Sequence, residues 1–312
     1  MQITFGMMED QSRRQKKTML DDVVEIIDFQ KIEDLLLGMY KGNTGRPPIP
    51  PLILFKALLL ESWYGLSDVE VVQEIHDRRS FERFVGEDVR KYHLDDTTLV
   101  KFRERLRDSG MMTKVWEEVD RALIRQGLVV KQGTIVDSTL VAGACRGGSK
   151  RKGGQPVDED CGYTVRRGQA VSGYKVHVGM DEGSEIIRKM EISWIEEHDH
   201  PYLHSLIPAG TKRVYGDKAY RSEEHERYLR KRKIKSRILF KGYRNRGLNQ
   251  VQKRKNRLWS AVRSMIEPKI NDLKRWCSME RMRYFGLERN RLWVQMCGLA
   301  SNFKRAARLS TA

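Results

Sequence analysis

Cysteine is scarce in this chain. The four, Cys145, Cys161, Cys277 and Cys297, show no paired short spacing and have no histidine in ligand register, which argues against a disulfide framework and against a cysteine-based zinc site. Long apolar runs are missing too. LILFKALLL at 52–60 is interrupted by Lys56, and nothing approaches the roughly 20 apolar residues that a membrane-crossing helix needs. The N-terminal MQITFGMMEDQ has no basic segment leading into an apolar core, so no secretory signal is visible and the cytoplasm is the expected compartment, with no membrane partner. Hydrophobic residues at 39% and charged residues at 32% describe a globular protein, and 312 residues suggest about two domains.

The remaining shortage is local and concerns acids. Residues 212–312 hold 8 Asp and Glu against 29 Lys and Arg, whereas residues 1–211 hold 34 against 30. The net charge of +17 therefore arises entirely in the last third. Like charges in a block repel one another in a compact state and persist most readily where a polyanion such as DNA neutralises them. The densest run, RYLRKRKIKSR at 227–237, contains Arg230, Lys231, Arg232 and Lys233, and each cation seated on a phosphate steepens the salt dependence of binding by roughly 0.9.

Against this background three acids stand out: Asp137 in GTIVDSTLV, Asp217 in RVYGDKAYRS and Glu267 in VRSMIEPKINDLK. The runs 135–141 and 214–220 are rich in β-branched and aromatic residues and read as buried strands. An ionised acid buried there without a partner costs several kcal/mol, which a bound cation would offset. Around the third acid, Leu258, Val262, Ile266, Ile270, Leu273 and Cys277 recur at three- and four-residue steps, predicting one helix with Arg263, Glu267 and Lys274 on an adjacent stripe. Pro268 is expected to kink that helix beside Glu267. Three carboxylates from separate elements supply hard oxygen ligands for Mg2+, and two such ions roughly 3.5–4 Å apart suit an in-line phosphoryl displacement.

Residues 1–130 read as a helical domain. Leu20, Val23, Val24, Ile27, Ile32, Leu35, Leu36 and Met39 keep helical spacing until the breaker segment at 42–48. Pro50 and Pro51 suit the first turn of a helix that stops near Gly65. Ser67 and Glu70 form a capping box, and Asp96 or Thr97 can cap a further helix through KFRERL. Successive short helices ending in a basic one suggest a helix-turn-helix-like module, with Lys101 and Arg103 as candidate DNA contacts. Residues 131–312 alternate strands and helices. Strands are expected at 133–141, 173–180, 185–193, 212–217 and 236–240, the first three as an antiparallel meander, with a helix near 199–207. The expected class is thus mixed, an all-helical domain followed by a mixed central sheet flanked by helices. The glycine-rich segment 143–173 reads as a charged loop, with Asp158, Glu159 and Asp160 as a solvated acidic turn. Lys175 and His177 share one face of a strand, placing a phosphate contact and a support for a metal ligand there, or else an edge pair. Asp199 reads equally as a helix N-cap or a site residue. Trp259, Trp276, Tyr284, Phe285 and Trp293 are expected to pack the C-terminal helices.

The spacing Arg263, three residues, Glu267, six residues, Lys274 resembles the signature of DDE transposases from bacterial insertion sequences, in which a tyrosine stands three positions before the arginine; here that position is Ser260. SGYKVHVGMD at 172–181, His198-Asp199, VYGDKAY around Asp217 and RYFGLERN at 283–290 resemble the insertion-sequence-five family, as do GRPPIPPLILFKALLLESWYGLSDVEVVQEI and LDDTTLVKFRERL in the N-terminal half. The resemblance implies a ribonuclease-H-like domain. It further implies Asp137, Asp217 and Glu267 as catalytic ligands of two Mg2+ ions, for which Mn2+ can substitute. Arg263, Lys274, Lys175 and His177 would lie along DNA. Terminal inverted repeats and target DNA are the implied partners, cleavage and strand transfer the implied activity, and a homo-oligomer on DNA the implied assembly. Two rival readings share the fold: a non-catalytic DNA-binding relative acting as a repressor, and a Mg2+ nuclease without strand transfer.

Overall fold

The computed structural model describes residues 17–40, 48–144, 157–166, 168–242 and 247–310. Most of the breaker segment at 42–48, Cys145 and the SKRKGG stretch lie outside them. The single periodic pattern of the first helical stretch folds as two helices, α1 (Met19–Ile26) and α2 (Phe29–Leu37), broken where Ile27 turns extended. Helix α3 (Pro51–Tyr64) is buried nearly all round, and Gly65 ends it at φ 67, a conformation that costs glycine little. Helix α4 (Asp68–Asp77) opens with the expected Ser67–Glu70 capping box and is followed by α5 (Arg79–Val85). Helix α6 (Asp96–Asp108) is capped by Asp95, not by Asp96 or Thr97: Asp95 Oδ1 accepts from the Thr98 amide at 2.6 Å. Helix α7 (Met111–Arg125) completes the set.

The sheet follows. Strand β1 (Gly133–Ala142) pairs antiparallel with β3 (Gln169–Asp181), which pairs antiparallel with β4 (Ile187–Trp194) on its other edge. On its opposite side β1 pairs parallel with β5 (Arg213–Gly216), and β5 pairs parallel with β6 (Lys235–Ile238). A meander of three antiparallel strands continued by two parallel ones is the expected ribonuclease-H-like order. One strand was not expected. Strand β2 (Gly162–Arg166) forms a hairpin with the start of β3, inside the segment read as loop. Its neighbour Gly173 must be glycine, since a Cβ there would lie 2.0 Å from the Val141 carbonyl oxygen where three strands meet.

The acidic turn is solvated only at Glu159. Asp158 is buried; it accepts from the Tyr174 hydroxyl at 2.8 Å and from the Gly286 amide at 3.1 Å, and Asp160 accepts from the Leu287 amide at 2.8 Å. Both carboxylates therefore cap the long helix α12 (Leu287–Ser310) from a distant loop, where helix amides lack partners. Helix α12 is the central post of the molecule. Trp63 of α3 donates to its Ala300 carbonyl at 2.7 Å, and its Asn302 side chain closes both hydrogen bonds with the Ile187 backbone of β4. One apolar core accordingly runs from α1 through α3 and α7 to the sheet and α12, while a smaller one lies on the opposite face beneath α8 (Leu203–Leu206) and α9 (Glu223–Lys231). Of the aromatics expected in the core, Trp293 is buried, Trp259 and Tyr284 are half-buried, and Trp276 and Phe285 are exposed. Cys161, Cys277 and Cys297 are free thiols. No described helix is long and apolar enough to cross a membrane.

Candidate active site

The parallel pairing of β1 with β5 sets the first two acids. Ile135 lies opposite Tyr215, so two residues further along the carboxyl ends of adjacent strands, about 4.8 Å apart, come Asp137 and Asp217. Asp217 stands just beyond its strand rather than within it, because β5 ends at Gly216 and a 3-10 turn, Lys218–Tyr220, begins after Asp217. The third acid comes from the helical side. The expected single helix is two, α10 (Gln250–Arg263) and α11 (Ile266–Trp276), separated at Ser264 and Met265. Pro268 thus sits in a first turn, where its missing amide costs no hydrogen bond, and Glu267 stands one residue before it.

Arg263, the last residue of α10, joins two of these acids. Its guanidinium lies 2.7 Å from Asp137 Oδ2 and 3.0 Å from Glu267 Oε1. Lys274, two turns along α11, donates to the Leu140 carbonyl of β1 at 3.1 Å, which fastens α11 beside the strand that carries Asp137. Burial pushes the Asp137 carboxyl up; its bond from the Ser138 amide and Arg263 pull it down, and the charges of Asp217 and Asp199 push it up again.

Asp199 belongs to this cluster and is no helix cap: the 3-10 turn that follows it receives no side-chain bond. Its Oδ1 faces Lys175 Nζ at 3.2 Å and His177 Nδ1 at 3.8 Å, yet accepts no hydrogen bond. Lys175 also donates to the Glu197 carbonyl. His177 is fully buried, 2.9 Å from Ser193 Oγ and stacked on Tyr202 at 4.1 Å, and burial pushes its imidazole down to about 4. It is neutral at pH 7 and orients rather than attracts. Tyr220 was not singled out from the sequence. Its buried hydroxyl makes no well-aligned hydrogen bond among the described residues, and burial, then Asp199 and Asp137, push it well above the ordinary tyrosine value against the pull of Ser138. Its place in the VYGDKAY segment was the available signal.

Among the described residues, no three Asp, Glu, His or Cys side chains close around a common point; a guanidinium stands between Asp137 and Glu267. The donor set nevertheless fits a divalent metal. It consists of carboxylates, the hard ligands Mg2+ prefers, and one buried carboxylate oxygen, Asp199 Oδ1, accepts no aligned hydrogen bond among the described residues although Lys175 Nζ lies 3.2 Å away.

The remaining candidates divide. Arg230, Lys231, Arg232 and Lys233 are exposed at the end of α9 and in the turn after it, with Arg232 resting on the Tyr228 hydroxyl at 2.6 Å. Lys101 is exposed on α6. Arg103, two residues on, points inward and binds Asp68 at 2.7 Å and Glu61 at 3.2 Å. Its position on the apolar side of α6 commits it to those buried acids rather than to a DNA groove.

Residues 130–303 match the family model described as Transposase DDE domain, and residues 8–105 match Transposase domain (DUF772). A cryo-EM structure of a piggyBac transposase synaptic complex with hairpin DNA aligns at 11% identity over 93% of this chain and 72% of that one, with a TM-score of 0.42.

Proposed function

Because this chain belongs to the DDE transposases, enzymes that act on DNA, we propose that it binds the terminal inverted repeats of an insertion sequence, cleaves DNA at them and joins the ends to target DNA. The observation that supports this reading is that Asp137 and Glu267, from a strand and a helix, meet about one guanidinium, while Asp217 stands at the end of the strand paired beside that of Asp137. Asp137, Asp217 and Glu267 would hold Mg2+, with Mn2+ able to replace it and Asp199 adjoining. Divalent ions there supply polarisation of phosphoryl oxygens and acidification of the attacking hydroxyl or water.

The chain's own residues do the rest. In cleavage, a water oxygen forms a bond to phosphorus, the bond to the 3′ oxygen breaks, and that oxygen leaves as a 3′-hydroxyl; in transfer this hydroxyl attacks a target phosphate in the same sense. Arg263 turns its paired donors from the carboxylates to a phosphate once their charge is met elsewhere, and Lys274 adds a point charge. Lys175 and neutral His177 hold Asp199 in place. Arg230, Lys231, Arg232, Lys233 and Lys101 extend the cationic surface for the duplex. Two element ends must be held at once, so the active form is a dimer or larger assembly on DNA.

The test is a plasmid carrying the flanking repeats, incubated with the protein and Mg2+ or a chelator, with the ends mapped. Mg2+-dependent nicks at the repeat boundary and joined products are expected. Cleavage no better than that of Asp137→Ala, Asp217→Ala and Glu267→Ala proteins that still bind the repeats identifies a repressor. Nicks without joined products identify a nuclease.

A further inference from the structure

Of the described helices with ten or more residues, α10 alone buries no residue. It is held from one side: the Asn256 side chain exchanges hydrogen bonds of 2.8 and 3.1 Å with the Phe240 backbone, the Trp259 and Phe240 rings stack with centroids 5.3 Å apart, and Arg263 reaches Asp137. At about 100° per residue these three positions fall within about 60° of one another. Val251, Arg254, Lys255 and Leu258 fall within about 100° on another face, about 120° round the axis. All four are exposed, Val251 and Leu258 each to 61%. Residues 227–266 hold 15 Lys and Arg and no Asp or Glu, and no acid pairs with Arg254 or Lys255 among the described residues.

A duplex groove offers a partner for both kinds of side chain on this stripe, phosphate charge along its edges and apolar thymine methyls on its floor. Val251 and Leu258 stand seven residues apart, about 10.5 Å along the axis, which is about three base pairs at about 3.4 Å each. Leu258 precedes Arg263, whose guanidinium lies among the acids assigned to the cleaved phosphate, by about 7.5 Å of helix. The helix first expected to enter a groove, α6, turns Arg103 inward to Asp68 and Glu61. We propose that α10 lies in the major groove of a repeat end, with Leu258 and Val251 against thymine methyls about two and about five base pairs from the cleaved bond, Arg254 on a base edge between them and Lys255 on a phosphate. This rests on the proposed action at terminal repeats and names the helix that reads them.

The test is fluorescence anisotropy of the full chain, without divalent ions, on the flanking-repeat duplex, on a scrambled duplex of equal composition, and on the repeat with its outer thymines replaced by uracil, which removes only their methyls. Wild type is expected to prefer the repeat, with affinity falling by up to about fourfold for each contacted methyl removed. In a Val251→Ala, Leu258→Ala double variant the preference falls about tenfold and uracil has no further effect; both side chains are exposed, so the variant should melt as wild type does. A double variant that keeps the wild-type preference overturns the inference while the transposase reading stands. Unchanged preference with an altered oligomeric state in sedimentation assigns the stripe to a contact between protein copies, which also overturns it. A wild type with no preference for the repeat overturns the action at terminal repeats and this inference with it.

Discussion

Arg103 and Arg263 each sit between a pair of acids, and they do so to different ends. Arg103 bridges Glu61 and Asp68, and Arg283 joins the same acids at 3.5 and 3.0 Å while donating to the Leu66 carbonyl. Two guanidiniums thus serve two carboxyl groups in an interior setting; burial pushes Glu61 up against the pull of Arg283 and Arg103. Arg263 bridges Asp137 and Glu267, with the charges of Asp217 and Asp199 close enough to act on Asp137 and Lys175 paired with Asp199. The first cluster is complete in itself and ties α3, α4 and α6 to the segment before α12. The second has more acids than cations and lies where strand ends open towards solvent. An uncompensated group of acids disfavours the fold that holds it, and the account here is that divalent cations and DNA supply the balance.

The largest separation of the two clusters should come from Asp137→Asn. Strand cleavage is expected to fall by about 10^3-fold or more, the loss of several kcal/mol of transition-state stabilisation, while thermal unfolding is unchanged or shifted upward; a fall in stability equal to that of a core variant would make Asp137 structural. Arg103→Met should do the reverse. Removing one guanidinium from buried Glu61 and half-buried Asp68 costs up to about 3–5 kcal/mol, to be read as a lower denaturant midpoint, with activity per folded molecule retained. Replacing Arg230, Lys231, Arg232 and Lys233 together by Gln should leave unfolding alone and lower the slope of log binding constant against log salt by about 0.9 for each phosphate contact removed. The smallest effect belongs to a surface pair. Arg83 holds Asp21 through two bonds of 2.8 Å, and its hydrogen bonds keep that carboxyl well below the ordinary 3.8. A depressed acid stabilises above its unfolded value, so Asp21→Asn should cost at most about 1 kcal/mol at pH 7. That difference should hold from pH 7 to 5 and vanish as pH falls below 3.8.

The sequence singled out Asp137, Asp217 and Glu267 because each acid sits where local periodicity changes or ends, which composition cannot hide. Less visible were features that depend on partners far along the chain. The break between α10 and α11 falls at Ser264, four residues before Pro268, whose ring excludes that carbonyl from a helical bond, so the expected bend became a full break although the apolar period runs on through it. Strand β2 was masked by the glycine-rich composition around it, in which Gly173 alone is required by the strand crossing. Asp158 and Asp160 looked solvated because the helix they cap begins more than 120 residues later. Arg103 looked like a DNA contact within KFRERLR because only the fold reveals Glu61 and Asp68 beneath it. Asp199 could not be assigned between cap and site until Lys175 and His177 were placed against it.

Electron paramagnetic resonance of Mn2+ titrated into the free protein measures the imbalance of acids at the strand ends most directly. The account predicts Mn2+ bound by wild type, displaced by Mg2+, and lost in the Asp137→Asn, Asp217→Asn double variant while Arg103→Met retains it. Equal Mn2+ binding by wild type and the double variant would contradict it.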